Sequence, residues 1–156
     1  MTVGIIVYSY TNNTLTIAQQ LKEALTNKGY QADIESIKAF NEDPNNTNIV
    51  LSNIPRLKQY EKLIFATCVR GFDCAPIFKA YMNTIDSLKD QKCAGFVSQY
   101  FPWDALGGTQ SLKRMKELVE NKNGIFMPLR SIHVKSKQKE TQINELISKC
   151  MDWIQS

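Results

Sequence analysis

A parallel three-layer α/β domain is the fold class this sequence predicts, and three observations predict it. Short apolar runs such as Leu63 to Ala66 recur along the chain, segments with apolar residues every three or four positions separate them, and turn-forming residues sit at the junctions. Runs that are apolar on both faces belong to a sheet covered on both sides, and their alternation with helices is the pattern of parallel crossovers.

Val3 to Tyr8 reads as the first strand, buried on both faces. Short polar side chains follow from Ser9 to Thr14, and the apolar spacing from Ile17 to Leu25 is helical. Gly29 suits the end of that helix, because glycine adopts the left-handed backbone that closes many helices. Tyr30 to Ile37 alternates and is more polar than the first run, which predicts a second strand near a sheet edge. From Asn41 to Tyr60 the sequence leaves alternatives open. Pro44 with Asn45 and Asn46 favours a turn, Ile49, Leu51 and Ile54 suit a short helix, and Pro55 breaks or restarts it. Lys62 to Thr67 reads as a central strand, and Cys93 to Ser98 repeats its signature.

Between those two strands, Pro76 suits the first turn of a helix whose Ile77, Tyr81, Ile85 and Leu88 lie broadly on one side. Leu112, Met115, Leu118 and Val119 repeat the helical spacing. Gly124 precedes a fifth strand at Ile125 to Met127, and Ile143, Leu146, Ile147, Cys150 and Ile154 mark a covering helix at the C-terminal end.

The 156 residues contain no Gly/Ser/Pro-rich linker between halves of viable size, so a single domain over residues 1–156 is expected. The start carries no basic segment followed by a long apolar run, and no apolar stretch approaches the roughly 18 residues of a membrane span. A soluble, cytoplasmic protein without membrane insertion is the expectation. Cys68, Cys74, Cys93 and Cys150 form no C-x-x-C pair, the only histidine is His133, and no metal site or nucleophile–base pair is read. The net charge of +4 permits attraction to anions. Lys135, Lys137 and Lys139 form the densest basic run, but Glu140 follows and no aromatic residues interleave with it, so a specific nucleic-acid partner is not expected.

The Ser9–Thr14 junction is a candidate phosphate seat. Free N–H groups open the following helix, its dipole favours an anion, and hydroxyls add donors. No Lys or Arg lies in the loop, so neutral dipoles would do most of the holding. Ser9, Tyr10, Thr11, Asn12, Asn13 and Thr14 resemble the phosphate-binding loop of flavodoxins and related FMN-binding proteins, usually Ser or Thr, any residue, Thr, Gly, Asn, Thr. The departure is Asn12 in place of glycine, and Asn is the next most tolerant residue where φ is positive.

The likeness extends over most of the chain, from Val3 to Trp153. It implies a five-stranded flavodoxin-like sheet of order 2-1-3-4-5 and an FMN site at the carboxyl edge, near the switch between strands one and three. Two further loops then become site walls. Thr67, Cys68, Val69, Arg70, Gly71 and Phe72 would lie beside the isoalloxazine ring, with Arg70 stabilising an anionic reduced flavin and Gly71 as a flexible point. Ser98, Gln99, Tyr100 and Phe101 would line the ring, with Tyr100 the leading stacking residue, Phe101 the second, Gln99 near the pyrimidine edge and Trp103 anchoring the loop. Cys68 lacks a nearby base and reads as a packed thiol.

The resemblance implies an electron carrier with a redox-protein partner. The alternative is an FMN-dependent NAD(P)H reductase acting on a quinone or another small acceptor, and a third reading is a regulatory protein that does not hold FMN. Typical electron-carrying flavodoxins are strongly acidic, which this chain is not.

Overall fold

In chain order, residues 1–101 and 107–156, those described by this computed structural model, form β1 (Thr2–Tyr8), α1 (Asn13–Asn27), β2 (Gln31–Ser36), β3 (Lys38–Ala39), β4 (Leu51–Asn53), β5 (Lys62–Arg70), β6 (Asp73–Cys74), α2 (Pro76–Thr84), β7 (Lys92–Gln99), α3 (Gly108–Glu120), β8 (Ile125–His133) and α4 (Lys139–Gln155). The main sheet runs β2-β1-β5-β7-β8 with all neighbours parallel, and β6 turns back antiparallel on the end of β5. Ranked by place in the chain, its five long strands stand in the order 2-1-3-4-5. The path leaves β1 one way for β2 and the other way for β5. Such a reversal opens a crevice at the carboxyl ends of the two strands, where ligands of open α/β sheets bind.

Each face of the sheet has its own apolar layer. Ile5, Val7, Ile64 and Phe96 pack with Ile17 and Leu21 of α1 and with Leu146 and Cys150 of α4. Ile6, Phe65 and Val97 pack on the other side with Phe78 of α2 and Met115 of α3. Because successive residues of β1, β5 and β7 point to opposite faces, the uninterrupted apolar runs fill both layers. Gly29, at φ 91°, closes α1 by donating its N–H to Thr26 O at 3.0 Å.

Three local expectations are corrected. The segment offered to a short helix instead contains β4, paired antiparallel with β3, and Phe40 N donates to Val50 O at 3.0 Å. Ile49 and Leu51 pack on the core with exposed Val50 between them, a period of two that suits a strand. Helix α2 stops at Thr84, and Ile85 is already extended at ψ 125°. Thr84 Oγ1 donates to Tyr81 O at 2.6 Å and competes with continuation of the helix, while Ile85 and Leu88 stay buried from a loop. Finally, β8 continues past Met127 to His133, with a register shift opposite Gly95 and Phe96 that accommodates Pro128 on an edge strand.

At the amino edge of the sheet, Lys62 is buried, and its Nζ donates to the carbonyls of Trp153 at 3.1 Å, Ile154 at 2.8 Å and Ser156 at 3.4 Å. Those carbonyls lie at the C-terminal end of α4, where the ladder of helical donors runs out, so the lysine joins the Ser156 N–H in capping it. Burial pulls the Lys62 pKa down. Among the described residues, no helix is long and apolar enough to cross a membrane, and no group of three His, Cys, Asp or Glu side chains could hold a metal ion.

Candidate functional site at the carboxyl edge

The loop from β1 to α1 is tightly organised. Asn12 caps the helix in the left-handed conformation, φ 66° and ψ 0°, without a side-chain capping bond. This is the position at which the resembled loops carry glycine, and Asn is among the few other residues that enter this region at modest cost. Ser9 Oγ accepts from Leu15 N at 3.1 Å, and Thr16 Oγ1 donates to Asn12 O at 2.8 Å. Thr14 is buried, with its hydroxyl 2.7 Å from that of Ser98. The amides of Asn13 and Thr14, the first two of α1, have no acceptor within their own helix, as in every α-helix. They are the donors that the fold leaves open to an anion.

Between β5 and β6 the chain makes a two-residue hairpin in which Arg70 pairs with Asp73, and Gly71 (φ 55°) and Phe72 (φ 63°) are both left-handed. Glycine adopts this turn freely, whereas a side chain as bulky as Phe costs roughly 1–2 kcal/mol there. The hairpin base is pinned by Asp73, whose carboxylate takes Lys79 Nζ at 2.9 Å, Cys74 N at 2.7 Å and Arg114 Nε at 3.4 Å. Partial burial works to raise the Asp73 pKa, but these donors bring it below the ordinary value. Arg70 lies 5.6 Å from the centre of the Tyr10 ring, a cation–π contact between this loop and the first. Thr67 is buried with its hydroxyl donating to Cys68 O at 3.1 Å, and burial pushes the Cys68 thiol up, away from reactive thiolate.

The third loop leaves β7. Ser98 and Gln99 are buried, and Gln99 turns its Nε2 toward the His133 ring, 3.4 Å from Nε2 and 3.5 Å from Nδ1. Tyr100 reaches the first loop, its hydroxyl accepting from Asn13 Nδ2 at 3.0 Å and lying 3.4 Å from Thr11 Oγ1. Phe101 faces Phe72 across the gap to the second loop, with ring centres 6.2 Å apart and planes tilted by 33°. Trp103, expected to anchor this loop, lies outside the described residues. Gly107 (φ 151°) admits close contact with the hairpin, since a Cβ there would stand 2.6 Å from Val69 Cγ1.

All three sequence-derived loops therefore meet, and each pair is joined by a side-chain contact: Tyr10 with Arg70, Phe72 with Phe101, and Tyr100 with Asn13 and Thr11. Tyr10, Phe72, Tyr100 and Phe101 are 46%, 49%, 51% and 52% exposed, so about half of each large side chain faces solvent where the three loops meet. Thr14, Thr67, Ser98 and Gln99 form the buried floor beneath them. Two features were not singled out as site residues from the sequence. Asn41, Glu42 and Asp43 flank a narrow cleft with Tyr8, Cys68 and Arg70 beside the hairpin, and burial, then the Glu42 charge, raises the Tyr8 pKa. Lys135 Nζ lies 5.4 Å from the centre of the Tyr100 ring. The parallel register that sets Gln99 against His133 carries it there, which the local sequence does not reveal.

No protein-family model and no curated protein matches the chain by sequence. Solved structures match it over nearly its whole length. A flavodoxin 2 from Bacillus cereus superposes with a TM-score of 0.71 at 14% identity, covering 99% of both chains. The flavodoxin of Streptococcus pneumoniae TIGR4 gives 0.70 at 14%, again with 99% of each chain covered. A flavoprotein from Lactobacillus acidophilus NCFM in complex with FMN gives 0.65 at 12%, covering 93% of this chain and 97% of the other. The chain has the flavodoxin-like fold. Its sheet order and the reversal between β1 and β5 are those expected of that fold.

Proposed function

We propose that the chain binds FMN at the crevice between these three loops and works as a flavodoxin-type electron carrier. The observation that carries this reading is the convergence of a helix N-terminus whose first two amides have no helical acceptor with half-exposed aromatic rings on two neighbouring loops. The site fits the group on its own chemistry. The left-handed Asn12 turns the chain so that the Asn13 and Thr14 amides lead α1, a donor set suited to a phosphate. The half-exposed faces of Phe72 and Phe101, tilted 33° to each other, suit contact with a planar heteroaromatic ring.

Bound FMN would supply a ring that accepts and releases one or two electrons. The chain's own part is to hold and surround it. Ser9, Thr11, Asn12, Asn13 and the first amides of α1 would take the phosphate. Phe72 and Phe101 would flank the ring and exclude water from its faces, and Gly71 leaves the hairpin crest unobstructed, with no atom within 4 Å of where a Cβ would stand. The stacking role expected for Tyr100 passes to Phe101 in this reading, because the Tyr100 hydroxyl is tied to the phosphate loop. Arg70, at the rim, would favour negative charge accumulating on the ring during reduction. A separate redox protein as partner and a cytoplasmic location go with this reading.

The test is reconstitution with FMN, separation of free cofactor and identification of what is released. One FMN per chain with a perturbed visible spectrum is expected, and absence of binding overturns the proposal. Rapid oxidation of NADH or NADPH by the loaded protein alone, with a quinone or nitro acceptor, would assign the reductase function instead.

A further inference from the structure

We propose that Lys135 supplies the positive charge that the phosphate loop itself lacks, acting through its seat on Tyr100. The inference rests on the FMN reading and adds a specificity-determining residue to it. Its starting point is that the loop offers a dianion neutral donors and no charge of its own. Ser9 Oγ accepts from Leu15 N and Thr11 Oγ1 from Asn13 Nδ2 at 3.0 Å, so each keeps one neutral O–H to donate, while Thr14 Oγ1 is buried against Ser98 Oγ. No Lys or Arg occurs between Ser9 and Thr14. Neutral dipoles alone would then face a doubly charged group.

The backbone brings a cation to that place. Strand β8 runs parallel to β7 as far as Gln99 and His133, and Val134 N then donates to Gln99 O at 2.9 Å. This bond fixes the next residue, Lys135, beside the residue that follows Gln99, which is Tyr100. The ammonium rests 5.4 Å from the Tyr100 ring centre, and the hydroxyl at the far end of that ring is 3.0 Å from Asn13 Nδ2. Lys135 is exposed, and its flexible stem lets the ammonium travel along the ring toward its hydroxyl end without disturbing the turn. The ring acts as a rail between the basic turn and the helix N-terminus. The same lysine placed two residues further on would have no such guide, so Lys137, also exposed, serves as the control.

Lys135 thus biases the site toward the phosphorylated flavin over riboflavin, in a salt-dependent manner. The experiment is a fluorescence titration of wild type, Lys135→Gln, Lys135→Arg and Lys137→Gln with FMN and with riboflavin at two ionic strengths. Lys135→Gln is expected to weaken FMN by about 3- to 10-fold at low salt, the range of a partly screened charge contact, and to leave riboflavin unchanged. Its FMN affinity should also lose salt sensitivity. Lys135→Arg should restore both, and Lys137→Gln should behave as wild type. An unchanged FMN affinity in Lys135→Gln, an equal loss for both flavins, or an equal effect of Lys137→Gln would overturn the assignment while leaving FMN binding intact. Failure of the wild type to bind FMN would overturn the assignment together with the reading beneath it.

Discussion

The loop proposed to take the phosphate and the two aromatic loops sit at the same edge of the sheet but are built on opposite principles. Between Ser9 and Thr16 most side chains are short, and hydrogen bonds of Ser9, Asn13 and Thr16 fold back onto the loop and the first turn of α1. The loop is set before any ligand arrives. Around Phe72 and Phe101 large apolar side chains stand half exposed, and one of them occupies a backbone conformation that suits glycine. Strain of that kind clusters at active sites and ligand clamps. On the proposed reading the contrast separates two tasks: the first region would recognise charge with prearranged dipoles, and the second would provide flat surfaces for a ring at some cost in stability.

The largest test of this division sets the two regions against two ligands. Ser9→Ala with Thr11→Val should weaken FMN by about 10- to 100-fold, the effect of losing one charge-assisted hydrogen bond, and change riboflavin affinity by less than about 2-fold. Flavin fluorescence titration measures both. Equal losses would mean that the polar loop shapes the whole site rather than the phosphate end.

Next in size is an opposed pair of effects at Phe72. Phe72→Gly relieves a left-handed Phe, so the ligand-free protein should gain roughly 1 kcal/mol in denaturant unfolding. The same variant should weaken FMN and riboflavin alike, because both present the same ring. Loss of stability on substitution would show that the Phe72 contact with Phe101 serves folding, and the contrast between the regions would fall.

How far each region was legible follows from the same physics. The sheet order came from the family resemblance, while the strands themselves were visible because doubly buried strands write continuous apolar runs. The phosphate loop is a local object, so its sequence carried it, and the glycine-to-Asn departure at Asn12 proved compatible with the backbone the position adopts, φ 66°. The short β3–β4 ribbon was not legible. Its two- and three-residue strands are too brief for periodicity to separate from a helical turn. Tyr100 and Lys135 were each visible as residues, but their contact depends on where β8 ends against β7, a long-range register that no local pattern encodes. The inward turn of Gln99 toward His133 is hidden for the same reason.

The smallest expected effect is electrostatic and lies at the rim. In the FMN-loaded protein, Arg70→Gln should make reduction harder, since Arg70 adjoins the hairpin crest with its guanidinium over Tyr10, and solvent and salt weaken its reach. Redox titration at low salt and fixed pH reads the shift, with FMN affinity measured in parallel. No shift, or easier reduction, would confine Arg70 to its contact with Tyr10.

The central claim, that three separate loops form one flavin site, is tested most directly by mapping backbone amide chemical shifts as FMN is added to the isotopically labelled protein. The account predicts changes that saturate at about one equivalent and centre on Ser9–Thr14, Arg70–Phe72 and Tyr100–Phe101, with the Asn13 and Thr14 amides shifted by the phosphate. Perturbations confined to one of these loops, or centred on the open groove formed by Ile54–Gln59 and Thr84–Ser87 on another part of the surface, would contradict it.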